Sequence, residues 1–169
     1  ARDKAAAAEA ALAIGEVRRA DELLGSGLLG DRQAMPAREH SEILLAEGAV
    51  LETRGDRPAA LAKTKHALAL AEQSSSQDLR ARALVALAGL LFDAGETDPA
   101  ARAMQDAQSL LADTPKLLLA ALLRKAAAYY ERAGFATLAE RDHRRAEEAW
   151  ESLAATLPSG MSHLLDAKR

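Results

Sequence analysis

A glycine followed five residues later by an alanine recurs four times in register: Gly15 and Ala20, Gly55 and Ala60, Gly95 and Ala100, Gly134 and Ala139. Successive glycines stand 40, 40 and 39 residues apart. A fixed period of this length restricts the fold to stacked copies of one supersecondary unit, each too small to bury its own apolar face. Other positions keep the same step. Four residues after each alanine stands Leu24, Thr64, Met104 or His143, and three further on a small residue, Gly27, Ala67, Ala107 or Ala146. Seven residues before each glycine lies Ala8, Gly48, Ala88 or Ala127, and four before it Ala11, Leu51, Leu91 or Tyr130. One Gly-x4-Ala means nothing; four copies with matching flanks define a unit.

The physics of that unit is an antiparallel helix pair. Glycine takes the left-handed conformation that ends a first helix. Asp98-Pro99, and Asp56 with Pro58, supply a cap and a rigid first-turn residue for a second helix. Small residues at Gly48, Ala60 and Ala67 let the two helices approach closely. Alanine, roughly a quarter of the chain, favours the same close-packed helices. The pattern predicts an all-α fold with helix pairs over 3–14 and 17–24, 37–54 and 58–73, 78–94 and 99–112, and 116–133 and 136–156. Breaks are expected at Gly25-Ser26-Gly27, Ser74-Ser75-Ser76 and Asp113-Thr114-Pro115, where Thr114 caps a helix opened by Pro115. The tail from Ser159 to Arg169 is expected to add one or two helical turns.

These residues resemble the tetratricopeptide repeat (TPR), a family that spaces a small residue, a large one, Gly, Ala, a large residue and Ala in this order. The resemblance covers most of residues 1–157, with the second and third repeats matching best. The unit is longer than the usual 34 residues. It is similar to the variant in kinesin light chains and in the sensor arms of bacterial ATPase regulators such as the maltose regulator. Thr64 and His143 depart from the pattern, and no Trp opens a first helix. The resemblance implies one domain over 1–169: a right-handed α-solenoid with repeats at about 1–36, 37–76, 77–114 and 115–157, a capping helix and a tail. It also implies a concave groove lined by first helices that receives an extended peptide or a helix. Carried over by position, the groove comprises Glu42, Leu45, Ala49 and Glu52; Arg82, Val85, Gly89, Phe92 and Asp93; and Ala121, Arg124, Ala128, Glu131 and Arg132. Leu45, Val85 and Phe92 form its expected apolar floor, with packing between repeats the open alternative for Phe92. Relatives that clamp a C-terminal carboxylate use Lys and Asn there. Neither type occurs at these positions, so that mode is not expected.

Composition narrows the function further. The net charge of -3 lacks the basic bias of a nucleic-acid binder. Cysteine is absent, so neither disulfides nor thiolate metal sites can form. The longest apolar run, Ala83 to Phe92, cannot span a bilayer. The Ala-rich opening carries Asp3, Lys4 and Glu9 and does not read as a signal peptide, so a cytoplasmic protein is expected. Arg outnumbers Lys by 16 to 6, which with the Ala bias reads as bacterial, and the missing initiator Met reads as a piece of a longer protein or a processed N-terminus. His40, His66, His143 and His163 show no paired helical spacing and no HExxH, so no metal, cofactor or catalytic centre is expected. His143 falls on the stripe Ala139, His143, Ala146, Trp150, Leu153 and is expected to pack inside, with Trp150 covering the last pair. Tyr130 is expected in the core. Glu140, Arg144 and Glu148 are placed for helical ion pairs on a solvated face.

The expected function is a protein-interaction module or scaffold, one arm of a larger bacterial regulatory or signalling protein. The alternative is a small-molecule-sensing arm of an ATPase-type transcriptional regulator. A long open channel suits the first, a closed pocket with converging polar groups the second.

Overall fold

The computed structural model describes residues 2–25, 35–111 and 116–156. Among these residues there are eight α-helices and no strand. They are α1 (Arg2–Ala13), α2 (Val17–Gly25), α3 (Ala37–Thr53), α4 (Arg57–Gln73), α5 (Gln77–Asp93), α6 (Thr97–Leu110), α7 (Lys116–Arg132) and α8 (Ala136–Ala154). Every end falls within two residues of its expected place. The expected Thr114-Pro115 cap, the repeat position Gly27 and the tail from Ser159 lie outside the described residues.

The repeated glycines do what their spacing requires. Gly15, Gly55, Gly95 and Gly134 all have φ between 79° and 81°, the left-handed region. After each, the next residue donates its N–H back across the turn: Glu16 to Ala11, Asp56 to Leu51, Glu96 to Leu91 and Phe135 to Tyr130, at 2.8–3.0 Å. This six-to-one bond satisfies a carbonyl that the helix end leaves open. The second helix then starts at once. Asp56 accepts from the Ala59 N–H at 3.2 Å and Pro58 sits in the first turn of α4, as their types predict. Ser75 takes φ 53° at the break after α4 without being glycine.

The chain divides into two compact units, residues 1–110 and 111–169. In the first, α1–α2, α3–α4 and α5–α6 form hairpins, and α3 packs against both α1 and α5. Ala8, Ala20, Ala60, Ala67, Ala88, Ala100, Met104 and Ala107, all at repeat positions, are fully covered. Thr64, which stands where the family places a large apolar side chain, is 2% exposed because it lies under Gly48. A Cβ on Gly48 would meet Thr64 Oγ1 at 3.0 Å and the Ala60 carbonyl at 3.5 Å. The missing Cβ sets the α3–α4 distance, and a β-branched residue of modest length fills what remains.

In the second unit α7 and α8 form one hairpin. Ala127, Tyr130, Ala139 and Ala146 are buried as the repeat requires, and Trp150 is covered as well. His143 corrects the expected stripe. It is exposed and its Nε2 lies 3.0 Å from Glu131 Oε1, while Asp142 is fully buried in its place. Asp142 tolerates burial because Arg141 reaches its Oδ1 at 2.9 Å and Arg145 Nη1 lies at 3.6 Å. Charge compensation of this kind overrides an apolar stripe.

Candidate functional site

The expected groove positions fall on one side of each first helix, but that side is covered to different degrees. On α3, Glu42 and Leu45 are buried, whereas Ala49 and Glu52 are half-buried. Leu45 joins a core cluster with Leu44, Ala67, Ala71, Leu79 and Ala83. On α5, Val85, Gly89 and Phe92 are buried, with Phe92 9% exposed, and Arg82 and Asp93 are half-buried. The three expected floor residues are therefore packing residues in this structure. What reaches the surface between them is charge.

Ion pairs tie these helices together. Arg82 Nη2 on α5 pairs with Glu9 Oε1 on α1, the helices on either side of α3. Arg38 on α3 approaches Asp78 of α5 at 3.4 Å and Glu42 of its own helix at 3.5 Å. Burial pushes the Asp78 carboxyl up, yet the Ser76 hydroxyl and the Arg38 charge outweigh it and hold its pKa below 3.8. Because side chains at groove register already engage one another, a ligand must compete with these pairs or use what they leave open.

In the second unit the same register is open. On α7, Ala121, Ala128, Glu131 and Arg132 are exposed and Arg124 is partly so. Arg124 is held from α8: its Nη2 lies 3.1 Å from Glu147 Oε1, and its guanidinium stands 5.5 Å from the Trp150 ring centre. Lys125 Nζ and the Arg132 guanidinium lie over one ring, that of buried Tyr129, at 5.9 and 4.6 Å.

Two further clusters went unseen in the sequence. The Asp142 site brings Arg141, Arg145 and Tyr130 together. Burial raises the Tyr130 phenol above its ordinary pKa of 10.0, and the Asp142 charge adds to that. The hydrogen bond to Asp142 raises Arg141. A charged neighbour at i+1 on a helix carries no sequence signal for burial. His40 and His66 sit edge to face with ring centres 5.4 Å apart, on α3 and α4, although their spacing gives no hint of it. Among the described residues no three His, Cys, Asp or Glu side chains gather as metal ligands.

A small cleft of about 250 Å³ opens between α2, α3 and α4. Leu24, Val50 and Leu51 line it, with Asp21–Arg54 and Glu47–Lys63 pairs at 2.6 Å each. Among the described residues no helix is long and apolar enough to cross a membrane.

No family model and no curated protein sequence matches the chain. A solved structure, the crystal structure of MamA, is similar over 88% of this chain and 77% of its own, with a TM-score of 0.53 and 21% identity. At that identity the likeness concerns the fold. Together with the four glycine-closed hairpins it supports an all-helical, TPR-like repeat fold.

Proposed function

We propose that this protein is a non-catalytic interaction module that binds a peptide or helix of another protein along the outward side of its first helices. The observation that carries the reading is the arrangement in the first unit. There α1, α3 and α5 follow one another and present charged side chains, Glu9, Glu52, Arg82 and Asp93, from segments about forty residues apart. Such a surface can order a chain by charge and hydrogen bonding. We place the chain with the long-repeat variants similar to kinesin light chain and the maltose-regulator arms, and with a cytoplasmic bacterial regulatory or signalling protein. The period of 40, 40 and 39 residues supports the former and the Arg-rich, Ala-rich composition the latter.

The small-molecule alternative draws on the cleft between α2, α3 and α4. Its roughly 250 Å³ is below the usual size of a ligand pocket, and its four charges already pair with one another.

Selection of a random 20-residue peptide library on the immobilised protein, followed by hydrogen exchange of the best complexes, tests it. Protection is expected on first helices within one unit, α1, α3 and α5 in the first or α7 in the second. Protection confined to α2, α4, α6 and α8, or no sequence-dependent binder, would overturn the reading.

A further inference from the structure

The positions that α3 and α5 cover are open on α7, and they form one continuous face. Leu117, Ala121, Arg124, Ala128 and Glu131 follow alternating steps of four and three residues, the spacing of a helix-to-helix seam. Leu117 is 45% exposed, and Ala121 and Ala128 are exposed beside it. Residues seven apart, Lys125 and Arg132, follow the seam on one edge. They stand where coiled helices place the charges that choose a partner. Within the seam itself Arg124 and Glu131 are engaged by Glu147 and His143 of α8.

The Tyr129 ring makes the cationic edge rigid. It is 4% exposed, wedged in the hairpin, and both cations lie against it. Holding a Lys and an Arg on one fixed ring reduces the rotamer freedom lost on binding. Two cations two turns apart, about 10 Å along the axis, match two carboxylates seven residues apart on a second helix. Ala121 and Ala128, small and exposed, give that helix room in the seam.

We propose that the open face of α7 docks an amphipathic helix of a partner protein that carries acidic residues seven apart beside a small or apolar seam. This rests on the reading of first-helix faces as binding surfaces and adds the partner's chemistry. The helical form follows from the seam, since an extended peptide rises about 3.3 Å per residue and would bring residues three apart, not seven, to the two cations.

The probe is a synthetic 21-residue helical peptide with an Ala/Leu seam and Glu at two positions seven apart, beside its twin with Lys at both. Binding is read by fluorescence anisotropy against the whole chain. The Glu peptide is expected to bind at least tenfold more tightly than the Lys twin. The doubly substituted protein Lys125→Glu/Arg132→Glu is expected to reverse that preference while its circular dichroism shows the helical fold retained, both side chains being exposed; losing their contacts with the Tyr129 ring lowers its melting temperature. Tyr129→Leu, which keeps the apolar contact and removes the ring face, is expected to weaken the Glu peptide several-fold. Equal binding of the two peptides, or a preference unmoved by the charge reversal, overturns the proposal. So does tighter binding of a single-stranded oligonucleotide than of the Glu peptide. If library-selected peptides still protect α3 and α5 while the Glu peptide fails, the α7 proposal falls and the interaction reading stands; if neither binds, both fall.

Discussion

Gly48 and Thr64 show how one missing atom sets a helix contact. Glycine inside a helix costs about 1 kcal/mol relative to alanine, so its presence here reflects the 3.0 Å approach that a Cβ would make to Thr64 Oγ1. Gly48→Ala is expected to be near neutral, propensity gain offsetting the crowding. In a Thr64→Ala background the same change should stabilise by about 1 kcal/mol, since the hydroxyl is gone. Denaturant unfolding of the four proteins of that cycle measures the difference; equal effects in both backgrounds would place the constraint elsewhere. Asp142 is the opposite case, a charged atom tolerated inside. Asp142→Ala is expected to destabilise by about 1–3 kcal/mol. Arg141 and Arg145, 45% and 40% exposed, can return to water, which keeps the loss below that of a fully buried pair. His143→Ala, on the exposed neighbour, should change stability by less than about 0.5 kcal/mol. A larger loss at His143 than at Asp142 in thermal melts would restore the apolar stripe read from the sequence.

At the level of elements, the second helix of each pair depends on an alanine that admits no larger group. Ala100 is fully buried and Ala59 is half-exposed. Ala100→Leu should therefore destabilise by about 1–3 kcal/mol through overpacking, and Ala59→Leu by much less. Equal melting shifts would contradict the repeat register. The start of α5 carries a pH-dependent contribution. The Asp78 carboxyl has a folded pKa below 3.8, so its ionised form favours the folded state. That stability is present above the unfolded pKa and is lost as pH falls through the folded value. Asp78→Asn is expected to flatten part of the decline in melting temperature below about pH 4, and an unchanged acid limb would remove Asp78 from the account. Tyr130 acts at the other end. Its raised pKa means a contribution intact below pH 10.0 and lost as pH rises through the folded value.

For the molecule as a whole, hairpins closed by glycine and packed through alanine leave function to the outward side chains. Zinc analysis of the untagged protein is expected to find less than stoichiometric metal, since the chain has no cysteine and no described cluster of three ligands. Stoichiometric zinc would redirect attention to His40 and His66, the described pair of neighbouring imidazoles.

The sequence by itself determined the hairpin count, the helix ends and the buried alanines. Each follows from a local cause: a left-handed glycine, a cap, a first-turn proline, or a side chain too small to hold helices apart. It also put the expected groove positions on one side of each first helix, which follows from their three- and four-residue spacing. Tertiary structure alone decided which of those sides stay open, because coverage depends on neighbouring helices and not on the helix itself. Leu45, Val85 and Phe92 are as apolar as a binding floor should be, yet they are buried. Ala121, Ala128 and Arg132 look unremarkable and are exposed. The exchange of His143 for Asp142 was likewise hidden, since burying a carboxylate depends on where Arg141 and Arg145 can reach, a matter of three-dimensional distance that a hydropathy pattern does not encode.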